Sequence, residues 1–184
     1  MITTRFVAFA SSFVLVVSAC TASGEFTISK TPVENVAEDL IESELADQLG
    51  LGDLDASCND PADEEPGTTF LCTATTPDGE TVRFEATIED DEQVFVVSKN
   101  ALTIQDLEAT TAIVAEQVLD VTGVAVAPED IDCGDRSIVL DDPQQITCVV
   151  TDPDGVSWDM TITFDGVGTD DTTFEWQIAD RPRS

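Results

Sequence analysis

The sequence predicts an α+β fold built from two tandem repeats, each with one helix packed on a three- to four-stranded antiparallel sheet and one disulfide. First, the motif C-x-x-T-x-P-D-G occurs at residues 72–79 and again at residues 148–155. Second, a further cysteine precedes each copy. Third, an amphipathic helical stretch ending at a glycine lies before each of these cysteines. The same order of features, repeated after 76 residues, indicates a duplicated small domain.

The N-terminus is predicted to be a lipoprotein signal peptide, residues 1–19. Arg5 is followed by an apolar run, residues 6–17, which is too short to span a bilayer. The run ends in Val17-Ser18-Ala19-Cys20, which resembles the lipobox of bacterial lipoproteins. The resemblance implies lipidation at Cys20 and anchoring at the outer face of the cytoplasmic membrane, with residues 20–30 as a lipidated tether. The alternative is an ordinary secretory signal with an incidental cysteine.

The charge of the chain argues against nucleic acid as a partner. After loss of Arg5, six Lys and Arg face 38 Asp and Glu, so the mature chain has a formal charge of −32. Such a field repels phosphate backbones and anionic membrane surfaces. We therefore expect membrane association through the lipid at Cys20, and no nucleic-acid binding.

Four cysteines besides Cys20 are expected to form structural disulfides, because an exported chain folds in an oxidising compartment. They allow three connectivities. Each repeat contributes one pair, separated by 14 and 15 residues, so the predicted bridges are Cys58 with Cys72 and Cys133 with Cys148. A zinc site is excluded because neither pair is a C-x-x-C knuckle and the chain has no histidine.

Repeat domain 1 is predicted over residues 31–100. Thr31 is the expected N-cap of its helix, with Pro32 at the first helical position, Glu34 completing a capping box, and Gly50 ending the helix. The predicted apolar face consists of Val33, Val36, Ala37, Leu40, Ile41, Leu45 and Leu49. Predicted strands follow at residues 54–58, 68–75 and 93–98, and at the alternating apolar positions Val82, Phe84, Ala86 and Ile88.

Repeat domain 2 is predicted over residues 101–180, with residues 181–184 as a tail. Its helix is expected to begin at the N-cap Thr103 with Asp106 three residues later, to carry a hydrophobic staple from Leu102 to Leu107, and to end at Gly123. Alternating apolar residues predict two strands with one buried face, at Val156, Trp158, Met160, Ile162 and Phe164, and at Phe174, Trp176 and Ile178. Both tryptophans are therefore expected in the core.

Candidate sites for chemistry are sparse. The P-D-G stretches are typical of hairpin turns. Calcium is the alternative at residues 152–155 and 165–171, although neither stretch has EF-hand spacing, so no metal or cofactor is expected. Without histidine or tyrosine, and with the cysteines in disulfides or lipidated, the usual catalytic bases and nucleophiles reduce to carboxylates, Ser, Thr and two lysines. An enzyme is not expected.

The repeated cysteine pairs and turns resemble a small domain of unknown function found in exported actinobacterial lipoproteins. Phe70-Leu71-Cys72 fits its aromatic-x-C strand, whereas Ile146-Thr147-Cys148 lacks the aromatic residue. Asn59 and Gly134 stand where that family often has proline. The resemblance spans residues 31–180 and brings no catalytic residues. A more distant likeness is to β-lactamase-inhibitor proteins, whose tandem repeats present a concave protein-binding sheet.

These observations predict a non-enzymatic binding or interaction module of the cell envelope, with an unidentified protein or other envelope component as the expected partner. The alternative is a calcium-dependent adhesive or structural module. The binding surface is expected where the repeats differ, in the loops at residues 59–67 and 134–143.

Overall fold

The computed structural model describes residues 6–7, 32–89, 93–169 and 171–183, with only the backbone at residues 6–7. The helices are α1 (Val33–Leu40), α2 (Ala46–Leu49) and α3 (Ile104–Thr122), with a π-helical turn at Ile41–Leu45 and a 3₁₀ turn at Pro128–Asp130. The strands are β1 (Phe6–Val7), β2 (Asp55–Cys58), β3 (Thr69–Thr75), β4 (Thr81–Ile88), β5 (Val94–Ser98), β6 (Ala101–Leu102), β7 (Ile131–Asp132), β8 (Ile138–Val139), β9 (Gln145–Thr151), β10 (Ser157–Asp165) and β11 (Thr173–Pro182).

The predicted fold class, α+β with antiparallel sheets, is confirmed. All strand pairs of the described residues are antiparallel, and two disulfides accompany them. The described residues fall into two compact units. One contains α1 to β5, and the other contains β1 and everything from Asn100 onward.

The sheet of the first unit has the order β2-β3-β4-β5, so each strand pairs with the next along the chain. The alternation of apolar and polar residues decides its two faces. Phe70, Cys72 and Ala74 of β3 are buried, and so are the apolar residues of β4 that the sequence pattern identifies. The sheet therefore has one face in the core and one in solvent.

The helix of the first unit is not the continuous α-helix that the sequence predicts. The π-helical turn inserts one residue, so the buried positions step from Ile41 to Ala46. Leu45, expected on the apolar face, is only half-buried. The hydroxyl of Ser43 donates to the carbonyl of Asp39 in this region, which is the type of side-chain competition that accompanies irregular helical turns.

The two ends of this helix differ from each other in how well they match the prediction. Its C-terminus is confirmed, since Gly50 adopts a left-handed conformation at the C-cap. At the N-terminus the helix begins at Val33, with Pro32 as N-cap and no side-chain hydrogen bond from that residue. Pro32 therefore precedes the first helical position instead of occupying it. Thr31, the predicted N-cap, lies outside the described residues.

The second unit contains a sheet with the order β1-β11-β10-β9-β7. The predicted start of α3 is confirmed, because Thr103 and Asp106 form a reciprocal capping box, and Leu102 and Leu107 are both buried. The helix ends at Gly123 as predicted. The core residues between helix and sheet include Val114, Val118, Met160, Ile162, Phe164 and Phe174, and both tryptophans pack against them.

A two-stranded pairing, β6 with β8, is absent from the sequence-based expectation. It is extended by Asn100, whose backbone oxygen accepts from Leu140 N (2.7 Å) and whose Nδ2 donates to Leu140 O (3.0 Å). Leu140 is 1% exposed. The chain between Cys133 and Cys148 is thereby fastened to the start of α3. No helix in the described part of the chain is both long and apolar enough to cross a membrane.

Candidate functional site

The four predicted cysteines form the bridges Cys58–Cys72 and Cys133–Cys148. Cys58 lies directly opposite Cys72 in the β2–β3 register, with their Cα atoms 4.0 Å apart. Asn59 N donates to Leu71 O (2.9 Å), so the cysteines occupy the neighbouring non-hydrogen-bonded position, where strands approach most closely. Cys133 directly follows β7, and its Cα lies 4.2 Å from that of Cys148. These four sulfurs therefore staple strands and supply no thiol for chemistry.

Both P-D-G stretches form hairpin turns. In the first turn Gly79 N donates to Thr76 O, and in the second Gly155 N donates to Asp152 O, each at 2.9 Å. Gly79 and Gly155 have φ angles of 84° and 80°, which an L side chain would adopt only with strain. Proline and glycine therefore serve the backbone reversal, as the sequence indicates.

The residue before the proline, a variable position in the motif, also organises each turn. Asp152 Oδ1 accepts from Asp154 N (3.0 Å) and Val156 N (2.8 Å). In the first turn Thr76 Oγ1 accepts from Glu80 N (3.1 Å), and Thr76 is 5% exposed. Asp and Thr are different residue types, but both have a short side chain with an oxygen atom that can accept a hydrogen bond. That shared chemistry is the signal by which this position could have been recognised in the sequence.

The loop at residues 59–67, one of the two predicted binding surfaces, is exposed and held by specific contacts. Asp63 accepts hydrogen bonds from the Thr68 hydroxyl and from Glu65 N, the latter at 3.2 Å. The Thr68 hydrogen bond, followed by that from Glu65 N, lowers the pKa of Asp63 from its ordinary value of 3.8. Gly67 N donates to Ile88 O (2.7 Å), so the end of the loop is fixed to β4. An ordered acidic surface results.

The loop at residues 134–143, the other predicted binding surface, is partly buried. Ser137 and Leu140 are buried, and residues 138–139 form β8. Gly134 N donates to Asp132 Oδ1 at 2.9 Å, which fixes the turn after the first cysteine. The exposed part of this loop is limited to residues 134–136 and 141–143.

Two oxygen atoms in the stretches considered for calcium accept hydrogen bonds within the fold. Gly166 O accepts from the hydroxyls of Thr169 (2.7 Å) and Thr172 (2.8 Å). Asp152 Oδ1 already accepts two backbone N–H groups. Asp170, part of the predicted candidate, lies outside the described residues. Over the ranges that the structure describes, no three Asp, Glu, Cys or His side chains come together as metal ligands.

Two glutamates of the helical segment in the first unit have a role that the sequence pattern does not show. Glu38 Oε1 accepts from Cys58 N (2.8 Å), and Glu42 Oε1 accepts from Ala56 N (2.9 Å). The sequence places both on the polar face of the helix. In the structure they cover the outward N–H groups of β2, the edge strand of its sheet. Unpaired edge groups invite association with other chains, so these carboxylates close that edge.

A depression of about 290 Å³ lies at the end of the β10–β11 pair. It is lined by Thr163, Phe164, Asp165, Thr173, Phe174 and Glu175. Among the described residues, the lining combines two buried rings with two carboxylates and two hydroxyls. We refer to this feature as the β10–β11 depression.

A family model described as a domain of unknown function, DUF4333, matches residues 15–93. The match agrees with the expectation of a small domain of unknown function in the first part of the chain. Comparisons with curated proteins and with solved structures gave no match.

Proposed function

We propose that the chain is a lipid-anchored, non-enzymatic protein of the outer face of the cytoplasmic membrane, where it binds another component of the cell envelope. The observation that carries the proposal is that the five cysteines of the chain fall into two groups with different expected roles. Cys20 stands in a lipobox-like sequence, and the other four cysteines are bridged. Disulfides favour an oxidising compartment, which agrees with export. Cys20 and the signal peptide around it, apart from Phe6–Val7, lie outside the described residues.

The two compact units are proposed to be copies of one domain, over residues 31–100 and 101–180. Each has a helical segment ending at a left-handed glycine, and then a short strand with a cysteine at or directly after its end, which a disulfide joins to a longer strand of the same sheet. In each, a P-D-G turn leads from the bridged strand into the following strand. The matching order supports duplication, and the family match supports the assignment of the first copy.

A binding role is supported by the side-chain chemistry of the chain. The chain contains neither histidine nor tyrosine, and its described carboxylates include several that brace the fold, such as Glu38, Glu42 and Asp63. Carboxylates used as hydrogen-bond acceptors for the backbone are poorly placed for proton transfer to a substrate.

The lipid anchor is tested in cells that receive an alkyne-bearing fatty acid. We expect the wild-type protein to be labelled and to partition into detergent, and Cys20→Ala to be unlabelled and recovered in the aqueous phase. Ser23→Ala is the matched control, because it changes the tether and leaves the lipobox intact. Labelling of Cys20→Ala at the wild-type level would refute the anchor assignment.

The calcium-dependent module is the competing function, and isothermal titration with calcium at physiological salt separates the two. The binding-module proposal predicts no saturable heat. A saturable heat that disappears in Asp152→Asn would favour the calcium function instead.

A further inference from the structure

The outer edges of the two main sheets are covered in different ways. The β2 edge is closed by the carboxylates of Glu38 and Glu42. In the second unit, the outer edge of β11 is occupied by β1, in which Phe6 lies opposite Phe174 and Val7 opposite Thr173. Within the described residues, no other strand pairs with that edge. The edge of β11 therefore already receives an extended segment of this chain.

The backbone groups that this edge presents follow from the register. Phe164 N donates to Gln144 O, away from β11, so Phe164 and its partner Phe174 form a non-hydrogen-bonded pair. Because backbone groups alternate along a strand, the N–H and C=O of Phe174, Trp176 and Ile178 point outward. Thr173, opposite Asp165, directs its groups toward β10.

Only part of β11 is suited to further pairing. Beyond Ile178 the β10–β11 register is interrupted by a bulge, and the strand ends at Pro182, which has no N–H to donate. Bulges and prolines are devices that discourage edge pairing. The open part is therefore Thr173 to Ile178, which also borders the β10–β11 depression.

We propose that, once residues 1–19 have been removed, the outer edge of β11 from Thr173 to Ile178 binds an extended strand of a basic partner polypeptide. The inference rests on the proposed export and processing of the chain, because β1 lies within the predicted signal peptide. Removal of β1 exposes the outward groups of Phe174. Main-chain hydrogen bonds to such an edge supply affinity, and side-chain contacts supply selectivity.

The chemistry of the partner follows from charge. The mature chain carries a formal charge of −32, and the carboxylates of Asp165 and Glu175 line the depression beside the edge. A strand with a lysine or arginine next to two apolar residues is complementary to this surface. The segment now on the edge has that composition, since Arg5 precedes Phe6 and Val7 in the sequence. A second copy of this acidic chain would be repelled.

The test uses the processed, lipidated protein in neutral detergent micelles, with its mass measured to establish the loss of residues 1–19. The probe is a fluorescein-labelled peptide of residues 2–9, Ile-Thr-Thr-Arg-Phe-Val-Ala-Phe, followed by anisotropy. N-methylation at Phe6 blocks the N–H that faces Phe174, whereas N-methylation at Val7 alters an N–H that faces away. Since one modification blocks the edge and the other does not, the two peptides form a matched pair.

We expect saturable one-to-one binding, about tenfold or more weaker with N-methyl-Phe6 and close to unchanged with N-methyl-Val7. Glu175→Lys is expected to weaken binding, whereas the equal charge change Glu129→Lys, on the 3₁₀ turn, is expected to have little effect. Equal loss with both methylated peptides, or no binding by a protein of processed mass, would overturn strand addition and leave the lipoprotein proposal intact. A mass that still includes residues 1–19 would overturn both, because the edge would remain occupied.

Discussion

Trp176 donates its indole N–H to the side-chain oxygen of Gln117 across 2.6 Å, joining β11 to α3 over a separation of 59 residues. Gln117 is 6% exposed, and its Nε2 has no acceptor among the residues that the structure describes. A buried amide is costly to leave unpaired. The position of α3 on its sheet is therefore coupled to this one hydrogen bond.

Trp176→Phe is expected to lower the free energy of unfolding by about 1–3 kcal/mol, because it leaves the Gln117 oxygen buried without its donor. The double variant Trp176→Phe/Gln117→Leu is expected to be more stable than Trp176→Phe alone, since it removes the buried amide as well. Urea unfolding followed by far-ultraviolet circular dichroism measures both. Trp158→Phe is the control for ring size. An equal loss of unfolding free energy in that variant would show that the smaller ring, and not the lost hydrogen bond, causes the destabilisation.

Most of the sheet structure could be predicted because the sequence alternates strictly. Phe70, Cys72 and Ala74 in β3, and Met160, Ile162 and Phe164 in β10, are buried as the pattern indicates. One-sided sheets impose this period directly on the side chains. The disulfide pairs could likewise be expected, because the two halves of the chain have nearly equal cysteine spacings of 14 and 15 residues.

Features that depend on one residue or on contacts between distant segments could not be predicted in this way. The π-helical turn replaces Leu45 by Ala46 on the buried face, and both residues are apolar, so the pattern does not distinguish them. The β6–β8 pair has two residues on each side, too few to show alternation. Glu38 is an ordinary polar-face residue until β2 is placed beside it.

The contact between Glu38 and β2 predicts a graded effect of substitution. Glu38→Ala is expected to destabilise the first unit by about 1 kcal/mol, because Cys58 N loses its acceptor, and Glu38→Gln is expected to cost less because the amide keeps an acceptor oxygen. Thermal unfolding by circular dichroism gives the comparison. Asp39→Ala, on the exposed face of the same helix, should change stability by no more than about 0.5 kcal/mol.

Asp63 predicts a pH dependence of stability. Its pKa is lowered in the folded chain, chiefly by the Thr68 hydroxyl and then by Glu65 N. The ionised folded form is thus favoured, so the contribution is present above the ordinary pKa of 3.8 and is lost as the pH falls through the lower folded pKa. The stability difference between wild type and Asp63→Asn should therefore shrink on acidification below pH of about 4.

Side-chain NMR gives the direct measurement of this effect. Thr68→Val removes the hydroxyl donor and should raise the pKa of Asp63 toward its ordinary value, while Thr69→Val, one residue further along, should leave it unchanged. Identical titration of Asp63 in wild type and Thr68→Val would contradict the assigned cause.

The disulfides offer a test of the two-domain proposal, because both tryptophans lie in the second unit. Closing a loop of about 15 residues contributes roughly 3 kcal/mol through the entropy of the unfolded chain. Cys133→Ala/Cys148→Ala should therefore lower the urea midpoint of tryptophan fluorescence strongly. Cys58→Ala/Cys72→Ala should leave the tryptophan midpoint unchanged. In this variant, the part of the circular dichroism signal that comes from the first unit should be lost at a lower urea concentration. A tryptophan midpoint that falls equally in both variants would mean that the units unfold together, and would refute independent domains.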